Sequence, residues 1–350
     1  MAARALSALP AAACPAGRIG RSQRHFAVRA RCQCGRTLRS IMRTWLGLFG
    51  LLSAPLLWAD ETGDWLARMI EAQASQSYQG TFVYERQGSF VAHQLWRRVI
   101  DGQQTERLLQ LDGMPRESLS RNGRLLCMTG SADELQLPPR QQVLTHLNTQ
   151  ALTAHYQPRL LGSNRIAGRE VEELALLPRD PHRYAMQLSL DRETGLPLRS
   201  LLLAAQGQLL ERLQFTELQL QAPGDEQLRA TGDCREIEPL AVARDAEVWR
   251  ADWLPPGFVA LATWRRPNPL GGQDLLTQVY GDGLASISVF IEPLREAQAG
   301  DAHSQAGPTA INSRQHSTPQ GEFMVTVLGE VPPATVERVA LSMRAPGGQP

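Results

Sequence analysis

The spacing of apolar residues changes near Ser75 from the period of a helix to the period of a β-strand. The apolar positions on one helical face are Trp65, Leu66, Met69 and Ile70. This spacing predicts a helix that runs from about residue 62 to Ser75. Beyond Ser75, apolar residues recur at every second position, which is the period of a β-strand.

Short segments with this strand period follow, separated by Gly, Asn-Gly and Asp-Gly turn signals. They are YQGTFVYERQG, SFVAHQLWRRVI, QTERLLQLDG, PRESLSRNG and RLLCMTG. A stretch at 135–156 then suits one or two short helices, with Val143, Leu144, Leu147 and Leu152 as apolar positions. Strand-like runs resume as RIAGREVEELALLPRD, HRYAMQLSLDRETGLPLRSLLL and GQLLERLQFTELQL. We expect a large, strongly curved antiparallel sheet with helices across one face.

The strand pattern stops at 222–248, where Gly, Pro, Asp and Glu gather as in a connecting segment. Alternation then returns in LLTQVYGDGLASISVFIEPL and GEFMVTVLGEVP, and PATVERVALSM has a helical period with Pro333 in its first turn. The expected fold class is α+β, mainly antiparallel β. We place a larger domain at 60–221, the linker at 222–248, a smaller α+β domain at 249–345 and a tail at 346–350.

An apolar run of 14 residues, Trp45–Trp58, precedes these domains. It is shorter than the roughly 20 residues of a membrane-spanning helix and contains a proline. It therefore predicts a secretory signal peptide at 42–59 that is cleaved after Ala59. Residues 1–41 are interpreted as a mis-assigned upstream extension, with translation starting at Met42. A genuine basic extension or an organelle-type leader is the alternative.

Removing this leader changes the charge of the chain. Nine of the 36 basic residues, all of them Arg, lie at or before Arg43, where Asp and Glu are absent. The mature chain therefore has 27 Arg against 35 Asp plus Glu, an excess of eight negative charges. Such a balance disfavours generic binding to nucleic acid.

Two of the five cysteines, Cys127 and Cys234, remain in the mature chain. Outside the cytoplasm they form either one disulfide or two separate buried thiols, and both interpretations stay open. A bridge would close a loop of about a hundred residues and would stabilise the fold by roughly 4 to 5 kcal/mol on the chain-entropy model.

Common catalytic motifs are absent from the mature sequence: it has no G-x-S-x-G elbow, no H-E-x-x-H helix and no phosphate-binding Gly-rich loop. Gly281-Asp282-Gly283 lies between two strand-like runs and is interpreted as a hairpin turn. The histidines lack metal-ligand spacing. We therefore expect no catalytic residue, no metal and no cofactor, with an uncharacterised periplasmic hydrolase as a remote alternative.

Six segments with distinctive sequences follow one another along the mature chain. They are WADETGDWLARMIEAQASQSYQGTFVYERQGSF, ERLLQLDG, RYAMQLSLDRETGLPLRSLLL, LLERLQFTEL, WLPPGF and YGDGLASISVFIEPL. Together they resemble the RseB/MucB family of periplasmic negative regulators of the sigma-E (AlgU-type) envelope-stress sigma factor. The likeness runs through nearly all of residues 60–345. It implies a large domain similar to lipoprotein carriers, an unclosed β-barrel cupped around helices.

The resemblance also implies partners and a mechanism. The smaller domain and the linker would bind the periplasmic domain of a RseA/MucA-like anti-sigma factor and shield it from site-1 proteolysis. Lipopolysaccharide or another lipid would fill the larger domain and release the partner. A homodimer that covers exposed apolar mouths is a further expectation. The alternative is a periplasmic lipid or lipoprotein carrier without a regulatory partner, although the extra C-terminal domain then lacks an explanation.

A curved sheet that does not close leaves an apolar concavity, which is the usual site for acyl chains. The strand residues expected on its wall are Phe82, Tyr84, Phe90, Leu95, Trp96 and Leu108. Arg97 and Arg98 follow Trp96 and are expected to meet lipid phosphates at the mouth of the cavity. Core packing of the apolar residues and plain solvation of the arginines are the alternatives.

Aromatic residues crowd into the first part of the smaller domain, and aromatic residues with Arg are favoured anchors of protein interfaces. The partner-binding residues expected there are Trp253, Phe258, Trp264, Arg265, Arg266 and Tyr280. Some of these must pack in the core. Trp253 and Phe258 alternatively clamp the turn formed by Pro255-Pro256-Gly257.

Overall fold

The computed structural model describes residues 61–114, 116–130, 149–237, 241–242, 249–266, 274–294 and 300–347. Several sequence predictions fall outside these ranges: the upstream extension at 1–41, the signal peptide at 42–59, Val143, Leu144, Leu147 and residues 348–350 of the tail. Within the described ranges, no helix combines the length and the apolar character needed to cross a membrane.

Three helices are present in the described part of the chain: α1 Glu61–Ser75, α2 Thr149–His155 and α3 Pro333–Ser342. The buried face of α1 consists of Trp65, Leu66, Met69 and Ala72. The predicted amphipathic helix and its end at Ser75 are therefore confirmed. Pro333 opens α3 as predicted, because its fixed φ and missing N–H suit the first helical turn.

The first sheet contains eleven strands, each antiparallel to its neighbours. They are β1 Tyr78–Arg86, β2 Ser89–Ile100, β3 Gln103–Gln110, β4 Arg116–Arg121, β5 Arg124–Met128, β6 Tyr156–Ile166, β7 Arg169–Pro178, β8 Ala185–Asp191, β9 Pro197–Leu203, β10 Leu209–Gln219 and β11 Arg235–Glu236. Their order is β11-β5-β4-β3-β2-β1-β10-β9-β8-β7-β6. Two meanders therefore join where β1 pairs with β10. Within the described residues no ladder links β11 to β6, so this large sheet is unclosed.

Two-residue hairpin turns with left-handed backbone connect several of these strands. At Asn122-Gly123, between β4 and β5, φ is 50° and 73°, as in the type I′ turn that an Asn-Gly pair favours. At Ala167-Gly168, between β6 and β7, φ is 49° and 75°. This turn splits RIAGREVEELALLPRD, which the sequence pattern presents as one run. Alanine is uncommon at positive φ, so the sequence gives only a weak signal there.

The second sheet contains seven antiparallel strands. They are β12 Ala241–Val242, β14 Val259–Arg266, β15 Leu275–Gly281, β16 Ser286–Pro293, β17 Ala302–Ala306, β18 Thr309–Thr318 and β19 Gly321–Gly329, in the order β12-β14-β15-β16-β19-β18-β17. A separate short ladder joins β13 Arg250–Ala251 to β20 Met343–Arg344. Since α3 packs on β18 and β19, this small sheet is the predicted α+β unit.

The stretch at 222–248, expected to connect the two domains, contributes a short strand to each sheet. Its β11 pairs with β5 and its β12 pairs with β14. Cys127 in β5 and Cys234, which directly precedes β11, form a disulfide across 107 positions of sequence. The connecting stretch is thereby fixed to one edge of the large sheet.

Each sheet has its own buried core. In the large sheet, Leu66 and Met69 of α1 share a cluster with Leu188 of β8, so α1 lies across one face. In the small sheet, Val339 of α3 shares a cluster with Val325 of β19. The helices therefore cover the apolar face of their own sheet, as the alternation of buried and exposed strand residues requires.

Candidate ligand cavity and inter-sheet contact

A cavity of about 80 Å³ lies between α1 and the large sheet. Its wall comes from α1, from five strands of the large sheet, and from the β15–β16 turn of the small sheet. The lining side chains include Met69, Tyr78, Phe82, Arg97, Glu211 and Leu284. Such a volume holds about half a dozen water-sized groups. A longer ligand must therefore displace side chains in order to enter.

The middle of the cavity wall is aromatic. The rings of Phe82 and Phe215, which pair across β1 and β10, have centroids 5.6 Å apart. Tyr78 meets Phe215 edge to face at 6.0 Å. Met69 of α1 faces the same space, and its unbranched thioether can adapt to an irregular gap. These side chains suit a hydrocarbon chain.

One end of the cavity carries a buried cation. Arg97 is 5 % exposed, and its Nη1 donates to Glu106 Oε2 at 3.2 Å while its Nη2 donates to the Gln73 carbonyl oxygen. The Nε of Arg97 has no hydrogen-bond partner among the described residues. Burial raises the pKa of the Glu106 carboxyl, and the charge of Arg97 opposes that rise. Burial also raises the pKa of the neighbouring Tyr78 to about 12, so its hydroxyl stays neutral.

The opposite end carries Glu211, whose Oε2 accepts the Tyr84 hydroxyl at 2.7 Å. Burial and the charge of Glu211 raise the pKa of Tyr84, which therefore remains a donor. Across the ladders of β1, Arg97 is paired with Tyr78, and Glu211 is paired with Arg86. Tyr78 and Arg86 are the two ends of β1, about 27 Å apart along a strand. Arg97, paired with Glu106, and Glu211 therefore line the cavity from positions beside opposite ends of β1.

The small sheet reaches this cavity through the turn between β15 and β16. Gly281 ends β15 and residues 282–285 form the turn, so the predicted hairpin turn is confirmed. Leu284, the next residue, is 4 % exposed and belongs to the buried cluster of the large sheet. The Oδ1 of Asp282 shapes the turn by accepting the backbone N–H of Leu284 at 2.9 Å and of Ala285 at 2.8 Å.

The same aspartate is bonded to the large sheet. Asp282 Oδ2 accepts from Arg183 Nε at 2.7 Å and from the Tyr156 hydroxyl at 3.1 Å. Arg183 also donates to the Asp180 carboxylate and to the Pro256 carbonyl oxygen. The side chains of Arg183 and Asp282 are 0 % and 1 % exposed, so water does not screen this ion pair.

Further contacts lie on either side of this ion pair. Arg86 of β1 donates to the Ala306 carbonyl oxygen of β17 at 2.9 Å. Trp253 stacks edge to face on His182 with ring centroids 4.9 Å apart. The Arg338 guanidinium lies 3.9 Å from the centre of the Trp253 ring. The two sheets are therefore joined by polar and aromatic contacts around one buried charge pair.

Five of the residues predicted for a lipid site face the cavity or the core around it. Phe82 and Arg97 line the cavity, and Tyr84 is bonded to Glu211 in its wall. Leu95 and Leu108 are buried in the cluster that contains Phe82, beside the cavity. Arg97 is thus buried inside the sheet and does not stand at an exposed mouth.

The other three predicted lipid residues lie elsewhere. Side chains alternate along β2, so Trp96 and Arg98 project from the face opposite Arg97. There the Arg107 guanidinium lies 4.8 Å from the centre of the Trp96 ring, and Arg98 pairs with Asp225 at 2.7 Å. Phe90 is 60 % exposed near the start of β2.

Three of the predicted partner residues pack inside the small sheet or at its junction. Phe258 and Tyr280 belong to the buried core of the small sheet, and Trp253 packs against the same cluster. The Phe258 N–H donates to the Pro255 carbonyl oxygen at 3.1 Å, which closes the expected Pro-Pro-Gly turn. Trp253 and Phe258 therefore flank that turn.

The remaining three lie on β14. Trp264 and Arg265 are half-buried and face β12 in the ladder. The backbone of Arg266 ends β14, and its side chain lies outside the described part of the structure. Val259 and Leu261 on the same strand are 58 % and 41 % exposed. β14 thus presents apolar side chains to solvent beside two of the predicted partner residues.

Sequence reasoning missed the residues that link the sheets. Asp282 was assigned to a simple turn, and Arg183, Leu284 and Glu211 were given no role. The available signal was Leu284, because an apolar residue beside a hairpin tip lies where polar side chains are usual. Within the described ranges, no group of three or more His, Cys, Asp or Glu side chains could hold a metal ion.

Comparison with known proteins identifies the family. The model for the MucB/RseB N-terminal domain matches residues 61–239, and the model for the MucB/RseB C-terminal domain matches residues 243–344. The chain is 48 % identical over 304 residues to the sigma factor AlgU regulatory protein MucB of Pseudomonas aeruginosa, which covers 85 % of this chain and 95 % of that protein. These matches span both sheets.

A more distant relative and a solved structure also match most of the chain. The sigma-E factor regulatory protein RseB of Escherichia coli is 25 % identical over 303 residues, covering 84 % of this chain and 94 % of that protein. In the solved MucA/MucB complex of Pseudomonas aeruginosa, one chain superposes with a TM-score of 0.71 at 47 % identity, covering 82 % of this chain and 100 % of that chain. The names of these relatives describe regulatory proteins. The chain belongs to the MucB/RseB family.

Proposed function

We propose that this chain is a periplasmic regulatory protein that binds the periplasmic part of a MucA-like anti-sigma factor. Similarity supports this proposal: two solved complexes pair MucB with MucA, and their matching chains share 47 % and 48 % identity with this one. While bound, the protein shields the anti-sigma factor from site-1 proteolysis. The sigma factor then stays inactive.

Lipid entering the large sheet releases the partner in this proposal. The observation that carries this step is Leu284, a residue of the small sheet that lines the large sheet's cavity. Because the cavity measures only about 80 Å³, an acyl chain and Leu284 compete for the same space. Displacing Leu284 moves the turn whose Asp282 is bonded to Arg183. Ligand entry therefore acts against the contact between the sheets.

The free energy of ligand coupling and the free energy of breaking the ion pair are of similar size. A ligand shifts an equilibrium only by the difference between its affinities for the two states, and coupling between two sites is typically about 1–3 kcal/mol. Breaking one partner out of a buried ion pair costs about 3–5 kcal/mol. The pair of Arg183 and Asp282 can thus oppose a weak ligand and yield to one that fills the cavity well.

We assign the partner to the β14 side of the small sheet. Within the described residues, β12 pairs with only two positions of β14, Arg265 and Trp264. Exposed Val259 and Leu261 lie on the same strand. An incompletely paired strand with apolar side chains can accept an extended peptide by strand addition. The small sheet would then hold the anti-sigma factor while the large sheet senses the lipid.

Location outside the cytoplasm completes the proposal. The disulfide of Cys127 and Cys234 suits an oxidising compartment. Cleavage after Ala59 would leave a mature chain that begins just before α1, which starts at Glu61. Sequencing the N-terminus of protein recovered from the periplasm checks this cleavage site.

A lipid carrier without a regulatory partner is the second candidate. The apolar wall of the cavity favours it equally well, since any curved sheet with such a wall could carry an acyl chain. The insertion of Leu284 from another sheet favours the regulator, because a simple carrier gains nothing from coupling its cavity to a second unit. Self-association as a homodimer remains a prediction for either function.

A pull-down with and without lipid tests the proposal. Residues 60–350 are purified from the periplasm and mixed with the immobilised periplasmic segment of the anti-sigma factor encoded beside this gene, with lipopolysaccharide added in increasing amounts. We expect binding that lipopolysaccharide abolishes. Lipid that co-purifies with a protein unable to bind the segment would indicate a carrier.

A variant of the turn tests the coupling step. Leu284→Ala empties part of the cavity and removes the competing side chain, so the partner should dissociate at a lower lipid concentration. Leu341→Ala is the matched control, because Leu341 is a 49 % exposed leucine of α3. Equal lipid sensitivity of both variants and the unaltered protein would rule out release through Leu284.

A further inference from the structure

The connecting stretch lies across the large sheet before it reaches the small sheet. Its residues 222–237, called the strap below, run from β1 to β5. The middle of the strap is firmly held: Leu228 is 6 % exposed, and Thr231 donates its N–H and its hydroxyl to the Glu117 carboxylate. Glu117 is 2 % exposed, so losing these donors would leave a buried carboxylate less well satisfied. The strap is therefore fixed to the large sheet as far as Thr231.

The end of the strap depends on the disulfide. Within the described residues, β11 pairs with β5 at two positions only, and both residues of β11 are exposed. The N–H of Ile237 adds one bond to the Leu126 carbonyl oxygen at 2.9 Å. So short a ladder gains too few hydrogen bonds to offset the conformational entropy that is lost in ordering its residues. The covalent bond from Cys234 to Cys127 therefore keeps β11 on β5.

The small sheet begins a few residues beyond this bond. While β11 stays on β5, only the three residues 238–240 connect Ile237 of the strap to β12 of the small sheet. When β11 leaves β5, the free connection starts after Thr231 and comprises the nine residues 232–240. The probability that the two ends of a flexible segment meet falls as about the −3/2 power of its length. Lengthening the connection in this way should therefore weaken docking of the two sheets roughly fivefold.

We propose that Cys127 and Cys234 form a redox-controlled tether, which sets how firmly the small sheet docks on the large sheet. The bridged chain keeps the connection short and holds the turn of Asp282 against Arg183. The reduced chain frees β11, lengthens the connection and lets this contact open more often. The large sheet itself keeps its strands β1 to β10 in both states.

The reductant is a protein dithiol. Cys234 is half-buried and follows the exposed residues 231–233, whereas Cys127 is 7 % exposed, so attack is expected at Cys234 Sγ. One thiolate of the reductant attacks this sulfur, the S–S bond breaks, and Cys127 leaves as a thiolate that takes up a proton. The second thiolate then attacks the mixed disulfide, releases Cys234 as a thiol and closes the reductant's own disulfide. Two electrons and two protons thereby pass to the chain.

The consequence for regulation rests on the proposed function, in which a lipid must open the contact between Asp282 and Arg183 to release the partner. A chain without the bridge holds this contact less firmly and should release the partner at a lower lipid concentration. The protein would thus respond to failed disulfide formation outside the cytoplasm as well as to lipid.

Hydrogen exchange of the mature chain, residues 60–350, tests the tether without any ligand or partner. The readout is the turn at 282–285, whose Leu284 and Ala285 N–H groups are bonded to Asp282 beside the buried contact. After reduction by dithiothreitol, we expect exchange in this turn to rise roughly fivefold. The core segment 325–327 of the small sheet should not change. Unaltered exchange at 282–285, in a chain shown by thiol labelling to be fully reduced, would overturn the inference.

A variant that keeps the bridge separates tether length from a general loss of stability. Inserting Gly-Ser-Gly-Ser-Gly-Ser after residue 238 gives the bridged chain a connection of nine residues in place of three. The bridged variant should show the same rise at 282–285, and its reduction should then add only about twofold. The same insertion after Gly347 in the tail is the control and should leave exchange unaltered. Normal exchange in the bridged insertion variant would contradict control by tether length.

The pull-down separates this inference from the function on which it rests. If reduction raises exchange at 282–285 but lipopolysaccharide releases the anti-sigma segment at the same concentration in both redox states, the tether stands and the proposed release through this contact fails. If lipopolysaccharide releases the segment and neither reduction nor the insertion changes exchange at 282–285, the tether fails and the proposed function stands.

Discussion

The two sheets bury very different side chains. The buried charged or titratable residues of the large sheet and its loops are His93, Arg97, Glu106, Glu117, Glu172, Glu173, Arg183, Asp191 and Glu211. On the small sheet, the buried charged residue among those described is Asp282, and its charge is paired with Arg183 of the large sheet. The small sheet is held by close packing of apolar side chains. The large sheet depends on polar networks around an incompletely filled core.

The difference in buried side chains gives the two sheets different physical properties. A core of Ile287, Val289, Val325 and Val327, all 0 % exposed, is closely packed and therefore rigid. A core that contains ion pairs and a cavity is harder to stabilise, because each buried charge needs a partner. In the proposed function, a ligand enters this core by displacing Leu284. The turn that contains Asp282 joins the closely packed small sheet to the large sheet with its cavity.

The largest expected effect on stability comes from removing the ion pair between Arg183 of the large sheet and Asp282 of the small sheet. Asp282→Ala removes one of the two counter-charges of the buried Arg183 guanidinium, the other being Asp180, and it removes the acceptor for the Leu284 N–H and the Tyr156 hydroxyl. We expect the free energy of unfolding, measured by urea denaturation, to fall by about 3–5 kcal/mol. Arg250→Ala is the control: it removes an ion pair whose side chains are 67 % and 38 % exposed, so the change should stay below about 1 kcal/mol. A small loss for Asp282→Ala would show that the sheets are held together by other contacts.

Truncating a methionine in each core sharpens the comparison of packing. Met343 is 0 % exposed in the small sheet's core, and Met69 is 2 % exposed beside the cavity. Met343→Ala should cost about 2–5 kcal/mol. Met69→Ala should cost less, because one side of Met69 already faces empty space and fewer dispersion contacts are lost. Thermal and urea denaturation of both variants measure the two values; equal losses would mean that the two cores are equally well packed.

A smaller effect should come from acid. His93 is 2 % exposed and stacks on Phe82 with ring centroids 5.1 Å apart. Burial lowers the pKa of His93 below its usual value of 6.5. The unfolded chain then binds a proton below pH 6.5 that the folded chain does not, so stability falls as the pH drops below 6.5. The slope contributed by this group is at most about 1.4 kcal/mol per pH unit.

Replacing this histidine isolates its contribution. His93→Phe keeps the stack on Phe82 and should flatten the decrease in Tm between pH 7 and pH 5. His303→Gln is the control, because His303 is an exposed residue of β17. Burial also lowers the pKa of His182 and His316, so some dependence on pH should remain. An unchanged pH profile in His93→Phe would show that the acid sensitivity arises at other groups.

The sequence predicts the local architecture well where periodicity is strong. The stripe of α1, the alternation in β1 and β2 and the Asn122-Gly123 turn all follow from short-range rules. The alternation in β2 also carried information about Arg97: it lies two residues after Leu95 and therefore on the buried face. Reading the pair Arg97-Arg98 as one surface feature hid the fact that adjacent strand residues face opposite ways.

What the sequence could not provide depends on contacts between distant positions. Arg183 and Asp282 are 99 residues apart, and nothing in either local pattern specifies that they meet. Leu284 is an unusual apolar residue beside a hairpin tip, but the sequence does not indicate which cavity it reaches. The short strands β11 and β12 were assigned to a linker, because two residues of ladder leave no periodic signal.

For a chain secreted as proposed above, the disulfide between Cys127 and Cys234 fixes an order of events. A chain that crosses a membrane from its N-terminus delivers Cys127 first, and 107 positions must follow before Cys234 arrives. Strands β6 to β10 lie within that interval. The bridge can therefore close only after both meanders of the large sheet have left the translocation channel. The disulfide therefore forms on a sheet whose strands β1 to β10 are all available to pair. It cannot form in a chain that is only partly exported.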